Sequence, residues 1–367
     1  MLTPSSSLAV ATIDSVRGEA RATANVNIAL IKYWGKADKQ SNLPAVGSLS
    51  LTLSEWGSDT RVTWIDLDSR RDGQSDENSF QHRFVLNGQE RKDPKVSRLL
   101  DHILLVAENR NHQWAAPRSV RAVVESYNTV PTASGLASSA SGMAALGLAA
   151  WTALGWSNPL EREDNESDKK SLIDLVRIGS GSAVRSLLGG IVRLERDGAR
   201  MTPLCSAADW ALALVVCIID PGPKAVSSRE GMERTRLTSP YHKAWVDSHQ
   251  ADLDAATEAV KSRDLQRLGE VMEHSTFKMH ASMWASSPPL RYLKGETLHI
   301  LDAVERLRAQ GIGAWATMDA GPHVKVLCQR TEAELIANHL SKLSGIDEVQ
   351  IRYPGEAAKA TKGMSDV

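Results

Sequence analysis

SYNTVPTASGLASSASGMAALGLAA, residues 126–150, is the stretch on which the fold turns. It opens on strand-like residues and a proline, passes through a run of small residues, and ends in an Ala- and Leu-rich helix. Pro131, Ser134, Gly135, Leu136, Ala137, Ser138 and Ser139 form the turn that leads into that helix. Glycine has no Cβ, so the backbone there can approach a ligand closely. The helix that follows aims free N–H groups and the positive end of its dipole at the turn, which suits a phosphate. The serine hydroxyls add further donors. A Ser/Ala linker running into a core helix is the plain alternative for a short Gly–Ser turn. The turn has neither the Gly-Lys-Ser/Thr of a Walker loop nor the glycine spacing of a dinucleotide fingerprint.

Outward from this stretch, a chain of 367 residues is long enough for two domains or subdomains. Its 42% apolar and 24% charged content is that of an ordinary globular protein. A net charge of −1 argues against broad electrostatic binding of nucleic acid or membrane. Cys205, Cys217 and Cys328 form no close pair and no metal spacing, and read as thiols in a reducing cytosol. No apolar run approaches the ~20 residues of a membrane span, and the start lacks the basic and apolar pattern of a secretory signal. A cytoplasmic location is therefore expected.

Toward the amino terminus lies EARATANVNIALIKYWGKAD, residues 19–38. Alternation of small and apolar residues predicts a strand from about Glu19, with Asn27 in a buried setting. Lys32 and Lys36 flank Tyr33, Trp34 and Gly35, so two long cations stand beside an aromatic wall and a turn. A strand edge with solvated lysines is the bland reading of those residues taken alone. Toward the carboxyl terminus, RIGSGSAVRS (residues 177–186) is a second Gly–Ser turn entering a helix. Ser180, Gly181, Ser182, Ala183 and Val184 precede Arg185, whose guanidinium offers a charge-assisted fork to an anion. Ser228 and Arg229 follow in VSSREGM, where a helix N-cap beside a surface arginine is the alternative. Asp319 ends an apolar strand in MDAGPHVKV, a position where a turn-capping aspartate is common.

Together these segments resemble the diphosphomevalonate decarboxylases, a branch of the GHMP kinase superfamily. NIALIKYWGK is similar to their amino-terminal signature, PTASGLASSA to the GHMP phosphate loop, and GSGSAVRS, VSSREGM and MDAGPHVKV to three further motifs in family order. The resemblance spans residues 20–327. The chain departs from it at Val46–Gly47, where many members have Asn-Ser, and at His323, where many have Asn.

The resemblance implies an α+β GHMP fold. Its amino-terminal part would be like ribosomal protein S5 domain 2 and its carboxyl-terminal part ferredoxin-like, with the site in the cleft between them. The expected division is a mobile extension over 1–18, an ATP-binding domain over 19–200, a second domain over 201–355 and a flexible tail over 356–367. Helical spacing at Val96, Leu99, Leu100, Ile103 and Leu104 predicts a helix over 95–109, with Lys95 as a surface lysine. Further helices are expected over 170–176, 249–272 and 296–310, and a solvated insertion over 66–81.

The implied reaction is ATP-dependent decarboxylation of mevalonate 5-diphosphate, with Mg²⁺, to isopentenyl diphosphate. Asp319 would orient or deprotonate the C3 hydroxyl. Arg185 and Asn27 would fix the carboxylate, and Lys32 would stand near the phosphates. Tyr33, Trp34, Gly35, Lys36, the turn 180–184, Ser228 and Arg229 would hold the substrate. Pro131 and the loop 134–139 would hold ATP. No metal-binding residues are assigned, because His274, His280 and His299 lack zinc spacing. A homodimer is expected from the resemblance. The readings left open are a plain GHMP phosphotransferase, a relative acting on mevalonate 5-phosphate, and a binding protein without catalysis.

Overall fold

The computed structural model describes residues 16–38, 41–66, 82–115, 120–130, 138–162, 165–219, 222 and 225–363. β1 (Val16–Ile31) starts three residues inside the extension expected over 1–18, whose first fifteen residues lie outside the described ones. Its first half alternates, with Ala20, Ala22 and Ala24 buried and Arg21 and Thr23 exposed. That is the period of a strand covered on one face. Past a bulge between Asn25 and Asn27 every residue to Ile31 is buried, because both faces are now covered. Two short strands, β2 (Lys36–Asp38) and β3 (Leu43–Pro44), pair beside the site. β4 (Ser48–Asp66) returns antiparallel to β1 along almost its whole length.

β5 (Arg83–Leu86) and β6 (Gln89–Glu90) lead into α1 (Pro94–Asn109). Asp93 caps that helix, its carboxylate accepting from Lys95 N at 2.9 Å. Most of the insertion expected over 66–81 lies outside the described residues. β7 (Val120–Asn128) pairs antiparallel with β4 and parallel with β5. α2 (Ser138–Ala153) is the central helix, buried almost throughout, and its glycines let neighbours come close. A Cβ at Gly147 would sit 2.5 Å from Val176 of α3 (Glu166–Gly179). β8 (Ile191–Leu194) and β9 (Met201–Cys205) extend the same sheet from β4.

The second sheet holds β10 (Leu212–Ile218), followed by α4 (Ser228–Thr238), α5 (His242–Lys261), α6 (Leu265–Trp284) and α7 (Gly295–Ala309). It is completed by β11 (Trp315–Met318), β12 (Val324–Gln329), α8 (Ala333–Leu340) and β13 (Glu348–Arg352), in the order β11-β12-β10-β13. α7 and α8 pack on one face with Val215, Val326 and Met318. α5 and α6 pack on the other with Leu214 and Leu327, and reach the buried half of β1 through Ile28 and Leu30. The result is the expected α+β arrangement of two sheets.

Three expectations change. The helix expected over 249–272 is two helices, broken where Arg263 turns to φ 54° and Asp264 caps α6 by accepting from Arg267 N at 2.9 Å. The helix expected after the second Gly–Ser turn is a short 3₁₀ segment, Ala183–Leu187, because Leu188 is extended and Gly190 takes φ 66° beside the Cys205 carbonyl. The tail expected to be flexible from 356 holds β14 (Lys359–Lys362), which pairs antiparallel with Ala20–Thr23 of β1. Short polar strands such as KATK carry little apolar patterning, so only the pairing reveals it.

Candidate active site

Asp319 leaves the end of β11 at the turn into β12, where Gly321 N donates to the Asp319 carbonyl at 2.8 Å. Its carboxylate is clamped from two sides. Lys32 Nζ donates to Oδ1 at 2.8 Å and Lys325 Nζ to Oδ2 at 2.8 Å. Both lysines are only 1% exposed, whereas the Asp319 side chain keeps 28% of its surface open. Burial alone would push the Asp319 carboxyl up, but the two ammonium groups outweigh it and hold it well below the usual carboxylate range. Burial brings Lys32 down to about 8 even though Asp319 pulls the other way. His280 of α6 lies behind this group, and burial pushes it down to about 4, so its imidazole is neutral.

Arg185 is 3% exposed and is built into the wall by neutral partners. Its Nε donates to Asn27 Oδ1 at 3.0 Å and its Nη1 to Ser48 Oγ at 2.8 Å. Asn27 in turn donates from Nδ2 to Ser186 Oγ at 2.7 Å and to the Ser182 carbonyl at 3.2 Å. No carboxylate pairs with the guanidinium within this network, and a buried cation without an acid partner is costly. Burial lowers it only to about 10, so it stays charged at neutral pH. The arrangement is that of a site waiting for an anion.

Tyr33 stands beside Arg185, with the guanidinium carbon 5.9 Å from the ring centre. Its hydroxyl is buried with no hydrogen-bond partner among the described residues, and burial pushes it up to about 12. A buried phenol that remains a donor fits an acceptor supplied by a ligand. Gly181 is needed here for space, since a Cβ would fall 2.8 Å from that hydroxyl and 3.0 Å from the Asn42 carbonyl. Ser180 and Ser182 share a hydroxyl contact of 3.1 Å. Lys36 Nζ donates to Asn42 Oδ1 at 2.5 Å, and Asn42 donates to the Arg177 and Ile178 carbonyls at 3.0 and 2.8 Å.

The structure brings most of the expected residues to one cleft of about 540 Å³. Asn27, Tyr33, Trp34, Lys36, Gly181, Arg185, Arg229 and Asp319 line it, with Ser180, Ser182 and Ser228. Others stand elsewhere. Lys32 lies behind Asp319, tied also to the Ala29 carbonyl at 3.0 Å. Gly35 makes the turn at φ 102°, packed against His242. Ala183 and Val184 are fully buried beneath the turn. Trp34 lines the cleft but spends its indole N–H on Thr235 Oγ1 at 3.1 Å, so it acts as a wall. Val46 packs against Trp34 and Trp245, and Gly47 leaves room for Leu253, so these two positions serve packing. His323 accepts from Ile219 N at 3.2 Å and is 3% exposed, which makes it part of the hairpin's support.

Pro131, Ser134, Gly135, Leu136 and Ala137 of the first Gly–Ser turn lie outside the described residues, as does the Ser138 side chain. Ser139, in the first turn of α2, reaches the cleft lining. Among the described residues no group of three acids, histidines or cysteines is placed to hold a metal ion. Asp319, the acid on the cleft lining, already holds two ammonium groups. That donor set fits a magnesium ion carried in on nucleotide phosphates, with the Ser139 hydroxyl within the same lining, better than an ion caged by protein.

Four contributors escaped the sequence reading. Lys325 had a visible mark, a lysine inside the apolar run VKVL of β12. Lys95 lines the cleft although it was expected on the surface, because the Asp93 cap sets the start of α1 at the cleft rim. Asn42 carried no signal, and Ser48 only its place in the segment 43–52, which resembles the family's next strand; each acts through partners far away in sequence.

Residues 24–205 match the family described as the diphosphomevalonate decarboxylase-like N-terminal domain. Residues 214–365 match the mevalonate 5-diphosphate decarboxylase C-terminal domain. The chain is 30% identical to the diphosphomevalonate decarboxylase of Candida albicans, covering 89% of this chain and 88% of that one. It is 32% identical to the Bos taurus protein of the same name, over 86% and 78% of the two chains. Among solved structures, mevalonate diphosphate decarboxylase from Staphylococcus aureus superposes with a TM-score of 0.80 at 32% identity, covering 96% of this chain and 100% of that one. A structure described as MDDEF in complex with MVAPP, AMPPCP and magnesium gives 0.79 at 36% identity, over 94% and 99%.

Proposed function

This chain belongs to the diphosphomevalonate decarboxylase family, and from that premise we infer that it converts mevalonate 5-diphosphate and ATP to isopentenyl diphosphate, ADP, phosphate and carbon dioxide. The observation that carries the reading is the shared cleft. An ionised Asp319 and a buried Arg185 that hydrogen-bonds only neutral partners line it together with a turn of glycine and serine.

The substrate carries a diphosphate at one end and a carboxylate at the other, with a tertiary hydroxyl between. Tyr33, Lys36, Ser180, Ser182, Ser228 and Arg229 grip the diphosphate, with Lys36 and Arg229 as its cations. Two cations and a bank of hydroxyls suit a diphosphate better than a monophosphate. Arg185, oriented by Asn27 and Ser48, takes the carboxylate. That places the C3 hydroxyl toward Asp319. A carboxylate held well below its usual range is ionised at neutral pH, so its oxygens are acceptors for the hydroxyl hydrogen. Asp319 therefore aligns the hydroxyl and receives its proton as the bond to the γ-phosphorus of ATP forms. Magnesium, when bound with ATP, neutralises phosphate charge during the transfer. The new 3-phosphate leaves with its bonding electrons. The C1–C2 electron pair then moves to form the C2=C3 double bond as carbon dioxide departs. Arg185 keeps the breaking bond aligned with the emptying orbital.

Carbon dioxide release from carboxyl-labelled substrate tests this directly. Stoichiometric carbon dioxide and ADP are expected with the diphosphate, and a rate about 100-fold lower or less with the monophosphate. ADP formed with a stable phosphorylated product would replace the decarboxylase by a kinase, and no ADP at all would leave a binding protein.

The chain acts in the cytosol, where ATP is supplied, and its three cysteines are all unpaired. No helix among the described residues is long and apolar enough to cross a membrane. Its oligomer is a homodimer using the outer face of α6, where Phe277 and Trp284 are 46% and 48% exposed. Light scattering is expected to give twice the 39.9 kDa chain mass. A monomeric mass across micromolar concentrations rules the dimer out.

A further inference from the structure

We propose that Lys325 is a positioning residue for the reaction, holding the Asp319 carboxylate in its productive orientation from the sealed side of the cleft. The inference rests on the decarboxylase reading and concerns how its acidic group is kept in place.

Three observations carry it. First, Lys325 is not part of the cleft lining and is 1% exposed, so it reaches the cleft only through Asp319, which does line it. Second, its ammonium takes Oδ2 at 2.8 Å, the oxygen that Lys32 leaves free. Asp319 thus has each oxygen committed and little freedom to rotate. Third, the two lysines come from different places. Lys32 follows β1 of the larger sheet, whereas Lys325 sits on β12 opposite Thr317 of β11, two residues before Asp319. Asp319 and Lys325 therefore belong to one hairpin of the smaller sheet. Their contact persists whatever relative movement the two sheets make around a bound substrate. The Lys32 contact crosses between the sheets and is the one such movement would change.

A buried lysine in an apolar strand is costly. The hairpin needs none for packing, since Leu327, two residues on and therefore on the same face as Lys325, is fully buried among apolar residues. The other charged or titratable groups facing Asp319 are Lys32, Arg185 and His280. Of these, none shares its hairpin.

A double-mutant cycle separates positioning from packing. Lys325→Met keeps length and removes charge. In the wild-type background it is expected to lower kcat by about 10- to 100-fold, with KM for both substrates within about 3-fold. In an Asp319→Asn background, assayed by labelled carbon dioxide, the same change is expected to lower residual kcat by less than about 2-fold. Equal losses in both backgrounds overturn the proposal, as does a Lys325→Met enzyme with near-normal kcat. Should the Met variant fail to fold, Lys325→Gln gives the same cycle with a neutral donor. Absence of carbon dioxide release by the wild type would instead overturn the reaction, so the two failures are distinguishable.

Discussion

Asp319→Asn is expected to cut turnover by about 10³-fold or more while leaving KM for both substrates within a few-fold. The amide keeps the shape of the carboxylate but not its charge. An amide nitrogen also turns a donor toward one of two lysines that are themselves donors. Lys32 and Lys325, each 1% exposed, would then face one another without an anion between them. The C3 hydroxyl loses both its acceptor and the destination of its proton. Substrate binding is expected to be spared because the proposed diphosphate grip rests on Tyr33, Lys36 and Arg229 and not on Asp319. Steady-state kinetics with labelled carbon dioxide and coupled ADP detection checks both products. A variant that retains a tenth of wild-type turnover would take Asp319 out of the chemistry.

Arg185→Gln comes next in size. Turnover is expected to fall by about 10²- to 10³-fold, with a rise in KM for the diphosphate substrate. Two effects act together. The carboxylate loses its cation, so the breaking C–C bond is no longer held in line. Asn27 and Ser48 also lose a partner at a site where each is buried. ATP binding is expected to change little, because the first Gly–Ser turn lies elsewhere in sequence and Arg185 makes no contact with Ser139 among its hydrogen bonds. Arg185→Lys is not a conservative rescue, since an ammonium cannot keep two neutral partners and a carboxylate in one plane. Kinetics at saturating ATP with varied substrate decides this, and an unchanged kcat would move the carboxylate grip to another residue.

Much of the site was legible because its parts are local. A glycine turn, the serines beside it and an arginine one turn further on sit within ten residues, and backbone geometry keeps such neighbours together. Asp319 was legible only through the resemblance of MDAGPHVKV, since an aspartate ending a strand at a tight turn is by itself a common cap. What stayed hidden depends on long-range pairing. Ser48 meets Arg185 across 137 positions and Lys32 meets Asp319 across 287, distances over which no periodicity speaks. The break between α5 and α6 was missed because apolar positions resume at Leu265 and Leu268 after the polar run 261–264, with no glycine or proline to punctuate it. Only the left-handed Arg263 and the Asp264 cap mark the stop. β14 was missed because three polar residues and one alanine at an edge resemble any tail until their neighbour is known.

That last strand joins segments far apart in the sequence, laying residues 359–362 along residues 20–23. A gene cut between β9 and β10 would yield an amino-terminal fragment with this flank of β1 bare. A bared flank is a ready template for association with other chains. During synthesis residues 20–23 emerge long before residues 359–362 can pair with them. The edge of the larger sheet is in this sense fastened from the far end of the fold, and a fragment lacking residues 359–362 leaves it open.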